Sequence, residues 1–178
     1  MSLTPQDAAR HLLRLKAAED GLLGFVRLHY PNWKLPDFHL KMIDALDCLE
    51  KNTLDSHHGL SVAEKAATDL VPVRNLLITM PPRHGKSTYG SVIFPSYFMS
   101  KKPTRFMMST SYNSQLATDF GRQVRDLSNE PTTTQIFPDF EMSADSRAVD
   151  QWRTTQGGAA YFIGVGGTTS GRAANLLL

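Results

Sequence analysis

The chain has 178 residues, of which 41% are hydrophobic and 20% are charged, and its formal net charge is +2. These values are typical of a folded globular domain and exclude an intrinsically disordered chain. Because no apolar stretch is long enough to span a bilayer and the first residues show no secretory signal pattern, we expect a cytoplasmic protein without a membrane partner. The single cysteine, Cys48, excludes an internal disulfide.

Helical periodicity dominates the chain before residue 73. Thr4 and Pro5 are residue types that favour an N-cap and a first helical position, and apolar residues recur at helical spacing to about residue 28. Asp37 is placed to cap a further helix, and residues 53–72 are small, polar and expected to connect into the core. We therefore assign residues 1–72 to an N-terminal helical segment.

From Val73 the pattern changes to alternating strands and helices, which is typical of an α/β fold with a parallel sheet flanked by helices. One helix is predicted to run from Lys86, to be kinked or ended near Pro95 and to stop by Pro103, and another is predicted after Asn113 as N-cap. Residues 129–150 show no clean period. The predicted strands are Val73–Thr79, Arg105–Ser109, Gly158–Val165 and Asn175–Leu178.

The loop Met80-Pro-Pro-Arg-His-Gly-Lys-Ser87 carries the chemistry of the sequence. A strand, a tight loop with Gly-Lys-Ser and a helix form the context of a P-loop, in which backbone N–H groups face phosphate oxygens. In that context Lys86 contacts the β- and γ-phosphates, and the Ser87 hydroxyl binds Mg²⁺. Sequence therefore predicts binding of ATP with Mg²⁺. The predicted loop contacts are Pro82, Arg83, His84, Gly85, Lys86, Ser87 and Thr88.

The loop departs from the usual G-x-x-x-x-G-K-[ST] pattern at its start. Met80 stands where the first glycine is expected, and Pro81 and Pro82 remove two backbone donors. The guanidinium of Arg83 can replace that lost donor capacity, since it matches phosphate oxygens bidentately. We therefore predict catalytic roles for Arg83 and Lys86.

A second metal-side element, an apolar strand that ends in acidic residues, is not found within the 178 residues. Ile136–Asp139 contains a proline, and Leu40–Asp44 has helical periodicity. The remaining place for this element is the apolar run at Asn175–Leu178, so the carboxylates are expected just beyond it. We accordingly expect residues 73–178 to be an ATPase core truncated before the Walker B carboxylates, and this chain to be inactive alone.

Four stretches together resemble the ATPase domain of large terminase subunits, the DNA-packaging motors of tailed bacteriophages. They are Pro81–Ser87, Ser111–Ala117 with Asp119–Arg125, Gly164–Arg172 running into Leu176–Leu178, and Phe38–Leu40. The resemblance implies a RecA/ASCE-like P-loop NTPase that couples ATP hydrolysis to translocation of double-stranded DNA into a procapsid. Implied partners are the portal protein, the small terminase subunit and further copies in a ring, in the host cell cytoplasm. The family's nuclease domain is absent from these residues.

The resemblance also implies roles for individual residues. Arg83 corresponds to an arginine that acts on the γ-phosphate, and His39 stands where the family has a glutamine-type adenine contact. Tyr112 and Asn113 follow a strand where related translocases place a DNA-facing loop, with ordinary packing as the alternative for Tyr112. Arg172 is a candidate sensor or inter-subunit residue, with a plain surface arginine as the alternative.

Two other functions remain open on the sequence. A P-loop small-molecule kinase or transferase would share the loop, although such enzymes usually begin close to the P-loop strand and carry an arginine-rich lid. A catalytically inactive, nucleotide-binding assembly scaffold would account for the missing carboxylates.

Overall fold

The computed structural model describes residues 4–51, 75–167 and 171–178, so the predicted connection at residues 53–72 lies outside the described part. No helix in these ranges is both long and apolar enough to cross a membrane. The helices are α1 Pro5–Asp20, α2 Leu22–His29, α3 Asp37–Lys51, α4 Lys86–Thr88, α5 Phe94–Lys101, α6 Ser114–Ser128 and α7 Pro131–Ile136. The strands are β1 Phe106–Ser111, β2 Met142–Arg147, β3 Gln151–Thr154, β4 Ala159–Gly164 and β5 Leu176–Leu177.

The N-terminal helices follow the predicted pattern with two refinements. The Thr4 side chain accepts a hydrogen bond from the Asp7 N–H and caps α1, and an extended Gly21 separates α1 from α2. The two helices approach so closely that a Cβ at Gly24 would overlap the backbone of Ala17. Asp37 is the first residue of α3 and lies within its first turn, where a carboxylate favours the helix dipole, so its predicted capping role is wrong.

The helix predicted from Lys86 is present. It does not end near Pro95, and its regular hydrogen bonding is interrupted just before that proline by a π-helical turn, Tyr89–Ile93, between α4 and α5. The Phe94 N–H donates to the Tyr89 carbonyl across this turn. Pro95 sits in the first turn of α5, where its missing N–H costs little because the π-turn already interrupts the regular hydrogen bonds. The helix ends at Lys101, before Pro103 as predicted.

The described residues form a five-stranded mixed sheet in the order β2-β3-β4-β1-β5. β1 runs parallel to β4 and β5, whereas β3 is antiparallel to both β4 and β2. The expectation of a parallel sheet is therefore met by β4, β1 and β5 and is wrong for β2 and β3. Short turns join β2 to β3 and β3 to β4, and such connections permit only antiparallel pairing, while α6 lies in the long crossover that parallel β1 and β4 need.

The predicted buried strand before the loop is also corrected over its described part. Residues 75–79 form no strand in the described sheet, and Leu77 is 87% exposed. Leu76, Ile78 and Met80 pack one face of this segment against the core. A strand requires a hydrogen-bonded neighbour, and the edge strand β5 has only two residues, Leu176–Leu177, so it offers a very short partner.

One hydrophobic core unites the N-terminal helices with the sheet. Phe25 of α2 and Ile43 of α3 belong to the same buried cluster as Phe94 of α5 and Trp152 of β3. Helix α6 is capped by the Asn113 side chain, as predicted, and buries the apolar face expected from its periodicity. The helices ahead of residue 52 are thus packed into the same core that supports the loop.

A buried ion cluster fastens α3 to this core. Glu50 accepts from Arg105 Nη2 at 2.9 Å and from Lys101 Nζ at 2.9 Å. The side chains of Arg105 and Glu50 are only 1% and 3% exposed, and Arg105 Nη1 also donates to the Phe98 carbonyl. Burying these charged groups is unfavourable unless the carboxylate and its cationic partners are present together.

The buried His29 of α2 contacts Glu130, the half-exposed N-cap residue of α7, and this contact makes stability depend on pH. The His29 side chain is 2% exposed and its Nδ1 lies 3.0 Å from Glu130 Oε2. Burial lowers the pKa of His29 below its ordinary 6.5, and the nearby Glu130 carboxylate opposes that shift in part. The unfolded chain therefore binds more protons than the folded one as the pH falls below 6.5.

We expect the free energy of unfolding to be highest above that ordinary pKa and to fall as the pH drops from 6.5 toward the lower pKa of the folded state. Urea unfolding at about pH 7.5 and about pH 5.5 measures this difference directly. A His29→Gln variant serves as the control, because it removes the titrating group and should flatten this part of the profile. Stability that rises on acidification in the wild type, and not in the variant, would contradict the expected shift.

Candidate functional site

The predicted loop forms a concave surface at the start of α4. Residues Met80–Thr88 line a pocket of about 380 Å³, and Arg83 and Lys86 are both solvent-exposed at it. Two cations on one short loop produce a positive potential that favours anions. The size and charge of this pocket suit a chain of phosphate groups.

The backbone of the loop adopts an uncommon conformation at two positions. Arg83 has φ 64° and Gly85 has φ 79°, both in the left-handed region. For a residue with a side chain this conformation costs roughly 1–2 kcal/mol. Strained non-glycine residues cluster at ligand sites because surrounding structure holds them in place there. Arg83 is the non-glycine residue in the described part of the chain with positive φ, and it lies in the predicted phosphate loop.

Helix α3 supports the loop through His39. The His39 Nε2–H donates to the His84 carbonyl at 2.9 Å, which fixes the proton on Nε2 and leaves Nδ1 as an acceptor. The Tyr89 hydroxyl lies 3.5 Å from that Nδ1, and the Tyr89 N–H donates to the Gly85 carbonyl at 3.0 Å. Within the loop, the His84 Nδ1–H donates to the Pro82 carbonyl at 2.8 Å. The loop is therefore held by both the helix before it and the helix after it.

Aromatic side chains surround the contacts of His39 and Tyr89 that hold the loop. Tyr89 is 1% exposed and packs its ring 4.8 Å from His39, while Trp33 meets Tyr89 edge-on at 5.8 Å. Phe38 contacts the rings of both His39 and His84. Burial raises the pKa of Tyr89, so its hydroxyl keeps its proton as a donor. Sequence analysis did not identify Tyr89 or Trp33, because no motif spacing connects residues so far apart along the chain.

Glycine is required at position 85 by both the backbone conformation and the neighbouring side chains. A Cβ at this position would lie 3.2 Å from the Tyr89 ring and 3.3 Å from His39 Nε2, in addition to the left-handed φ. We expect Gly85→Ala to lower the free energy of unfolding by about 1–2 kcal/mol. Urea unfolding measures the change.

The matched control for that substitution is Gly90→Ala, five residues further along the chain toward the buried helix α5. A Cβ at Gly90 meets nothing within 4 Å. Alanine should therefore be neutral there, or stabilising by up to about 1 kcal/mol, because it reduces the freedom of the unfolded chain. Equal effects of the two substitutions would show that Gly85 is not constrained as described.

The position of Ser87 is compatible with its predicted role as a Mg²⁺ ligand. Ser87 is exposed next to Lys86 at the pocket, and its hydroxyl is the hard oxygen donor that Mg²⁺ prefers. Across residues 4–51, 75–167 and 171–178, no three His, Cys, Asp or Glu side chains are grouped to hold a metal. The Ser87 hydroxyl is thus one hard oxygen donor at this pocket.

The other predicted contacts lie at a second location, where β1 and β4 end side by side at Ser111 and Gly164. Tyr112 is 77% exposed there, so packing does not account for its side chain. The Asn113 side chain accepts from the Leu116 N–H and serves as the N-cap of α6. Arg172 lies on the surface with its guanidinium 4.4 Å from the centroid of the Tyr161 ring.

The structure therefore divides the predicted site residues between two places. His39 joins Pro82–Thr88 around the phosphate-sized pocket. Arg172 lines a smaller pocket of about 320 Å³ with Ser114 and Thr118 at the beginning of α6, next to Tyr112 and Asn113.

Comparison of the chain with protein-family models, curated proteins and solved structures gave no match in any of the three. The geometry of the loop and its supports is consequently the basis for assigning a function.

Proposed function

We propose that the loop Met80–Thr88 binds the phosphates of Mg²⁺–ATP, and that the chain is the nucleotide-binding part of a P-loop ATPase with a RecA/ASCE-like fold. The observation that supports this most is the loop conformation. Arg83 and Gly85 are left-handed, His39 holds the carbonyl between them, and two cations border a pocket of about 380 Å³.

Each cation has a distinct role in this proposal. Lys86, at the beginning of α4, is a point charge for the β- and γ-phosphate oxygens. Arg83 presents a planar guanidinium that engages two oxygens of the γ-phosphate at once. Bound Mg²⁺–ATP supplies the transferable phosphoryl group and the metal charge that neutralises it, and Ser87 contributes a hydroxyl ligand.

The wider role follows the resemblance to large terminase subunits. We propose that ATP hydrolysis in the whole protein drives translocation of double-stranded DNA, with the portal protein, the small terminase subunit and further copies as partners. Two features support this extension. The parallel strands β4, β1 and β5 lie together in the sheet, and Tyr112 is exposed where β1 ends.

Calorimetric titration with Mg²⁺–ATP, Mg²⁺–ADP and AMP tests the proposed ligand. ATP and ADP should bind at one site, and AMP should bind at least tenfold more weakly, because it lacks the phosphates that charge-assisted hydrogen bonds would hold. Amide chemical-shift changes should centre on the residues that line the pocket. AMP binding as tightly as ATP, or shifts confined to other residues, would rule out this phosphate site.

A further inference from the structure

We propose that His39 is a positioning residue: it fixes the direction of the His84–Gly85 peptide so that the Gly85 N–H points toward a bound phosphate. This role rests on the proposed function, since it gives the N–H a ligand to face. It differs from the adenine contact that the resemblance implies for the same residue.

The contact is specific in its atoms. His39 Nε2–H donates to the His84 carbonyl at 2.9 Å, and the other ring nitrogen faces the Tyr89 hydroxyl at 3.5 Å. Both nitrogens of the ring are thus engaged by the protein. An adenine contact would have to displace one of them.

Because His39 holds the His84 carbonyl, the geometry of the peptide bond also determines where the Gly85 N–H points. In the described residues there is no cis peptide, and in a trans peptide the C=O and N–H point to opposite sides. Holding the His84 carbonyl against α3 therefore turns the Gly85 N–H away from α3. A flip of this peptide would instead direct a carbonyl oxygen, a repulsive group, at the anion.

Gly85 makes such a flip accessible, and His39 opposes it. Glycine tolerates positive and negative φ about equally, so its own preference does not fix the peptide. His39 is well placed to do so because it lies in the first turn of α3, whose residues Ile43 and Leu46 are buried in the core. The centroid of the Phe38 ring lies 4.4 Å from the centroid of the His39 ring and 5.8 Å from that of the His84 ring.

The test compares His39→Phe with His39→Gln for binding of Mg²⁺–ATP and Mg²⁺–tripolyphosphate. Phenylalanine retains a ring but has no donor, whereas the glutamine amide can donate to the His84 carbonyl. We expect His39→Phe to weaken both ligands by the same factor, about fivefold, which corresponds to one neutral hydrogen bond. His39→Gln should restore both to within about twofold of the wild type. His11→Phe, at an exposed position of α1, is the matched control and should change neither.

Two outcomes overturn the positioning role. A loss of ATP affinity with tripolyphosphate unchanged would identify His39 as a contact to the base, and equal affinities in the wild type and His39→Phe would show that the contact does not matter for the anion.

Nitrogen-15 NMR of the unliganded wild type provides an independent measurement that does not depend on the variants folding. The proton should reside on Nε2 of His39, and an Nδ1–H tautomer would contradict the hydrogen bond. A wild type that binds neither ligand would instead overturn the proposed function.

Discussion

Replacing Lys86 with alanine should weaken binding of Mg²⁺–ATP by about tenfold to a hundredfold. The substitution removes the point charge that the proposed site places on the β- and γ-phosphates, and a hydrogen bond to a charged group contributes about 1.5–3 kcal/mol. Lys86 is exposed at the beginning of α4, so its loss should leave the fold intact. Calorimetry on both proteins measures the ratio of dissociation constants, and thermal unfolding verifies that the variant is folded.

The control for this experiment is Lys16→Ala, which removes an exposed lysine of α1 and leaves the net charge equal to that of the Lys86 variant. A similar loss in both variants would mean that only the overall charge attracts the nucleotide. Unchanged affinity in the Lys86 variant would remove the central contact of the proposed function.

Replacing Glu50 with alanine should lower the free energy of unfolding by about 3–5 kcal/mol, the effect of removing one partner of a buried ion pair. The reason is that Arg105, whose side chain is only 1% exposed, would lose its ion pair with the buried Glu50 carboxylate at 2.9 Å. Because domains are stable by about 5–15 kcal/mol in total, this single change should move the urea midpoint substantially.

The surface pair Lys51–Asp47 provides the contrast, since the lysine is 57% exposed. Lys51→Ala should change the free energy of unfolding by less than about 1 kcal/mol. A double variant, Glu50→Leu with Arg105→Met, should recover much of the loss, because replacing both charges with apolar groups is often neutral. If Glu50→Ala were no more damaging than Lys51→Ala, the cluster would not secure α3 to the core.

Much of the fold could be predicted because its helices carry strong local signals. Thr4 and Asn113 cap their helices as expected, and the apolar run at residues 158–165 forms strand β4. Strands β2 and β3 could not be found in the same way. The sequence Met142–Arg147 has little apolar alternation, and its pairing with β3 is decided by contacts along the sheet edge rather than by its own residues.

The candidate site was predictable where its residues are adjacent in sequence and not where they are distant. The predicted phosphate loop is one contiguous motif, and the structure places its cations around one pocket. The support from Tyr89 and the hydrogen bond of His39 join segments about fifty residues apart, as does the ion pair of Glu50 with Arg105. Such pairings depend on how α3 packs, which no local pattern encodes.

The π-helical turn Tyr89–Ile93 determines how far the loop is rotated about the helix axis relative to the buried helix α5. Along an α-helix each residue adds about 100° of rotation and 1.5 Å of rise, and a π-turn accommodates one additional residue in that progression. Loss of a single residue from this turn would therefore rotate Lys86 by about 100° about the helix axis while α5 stayed packed in place. The direction in which the Lys86 side chain projects thus depends on the number of residues between the loop and the buried helix α5, and substitutions alone would not reproduce it.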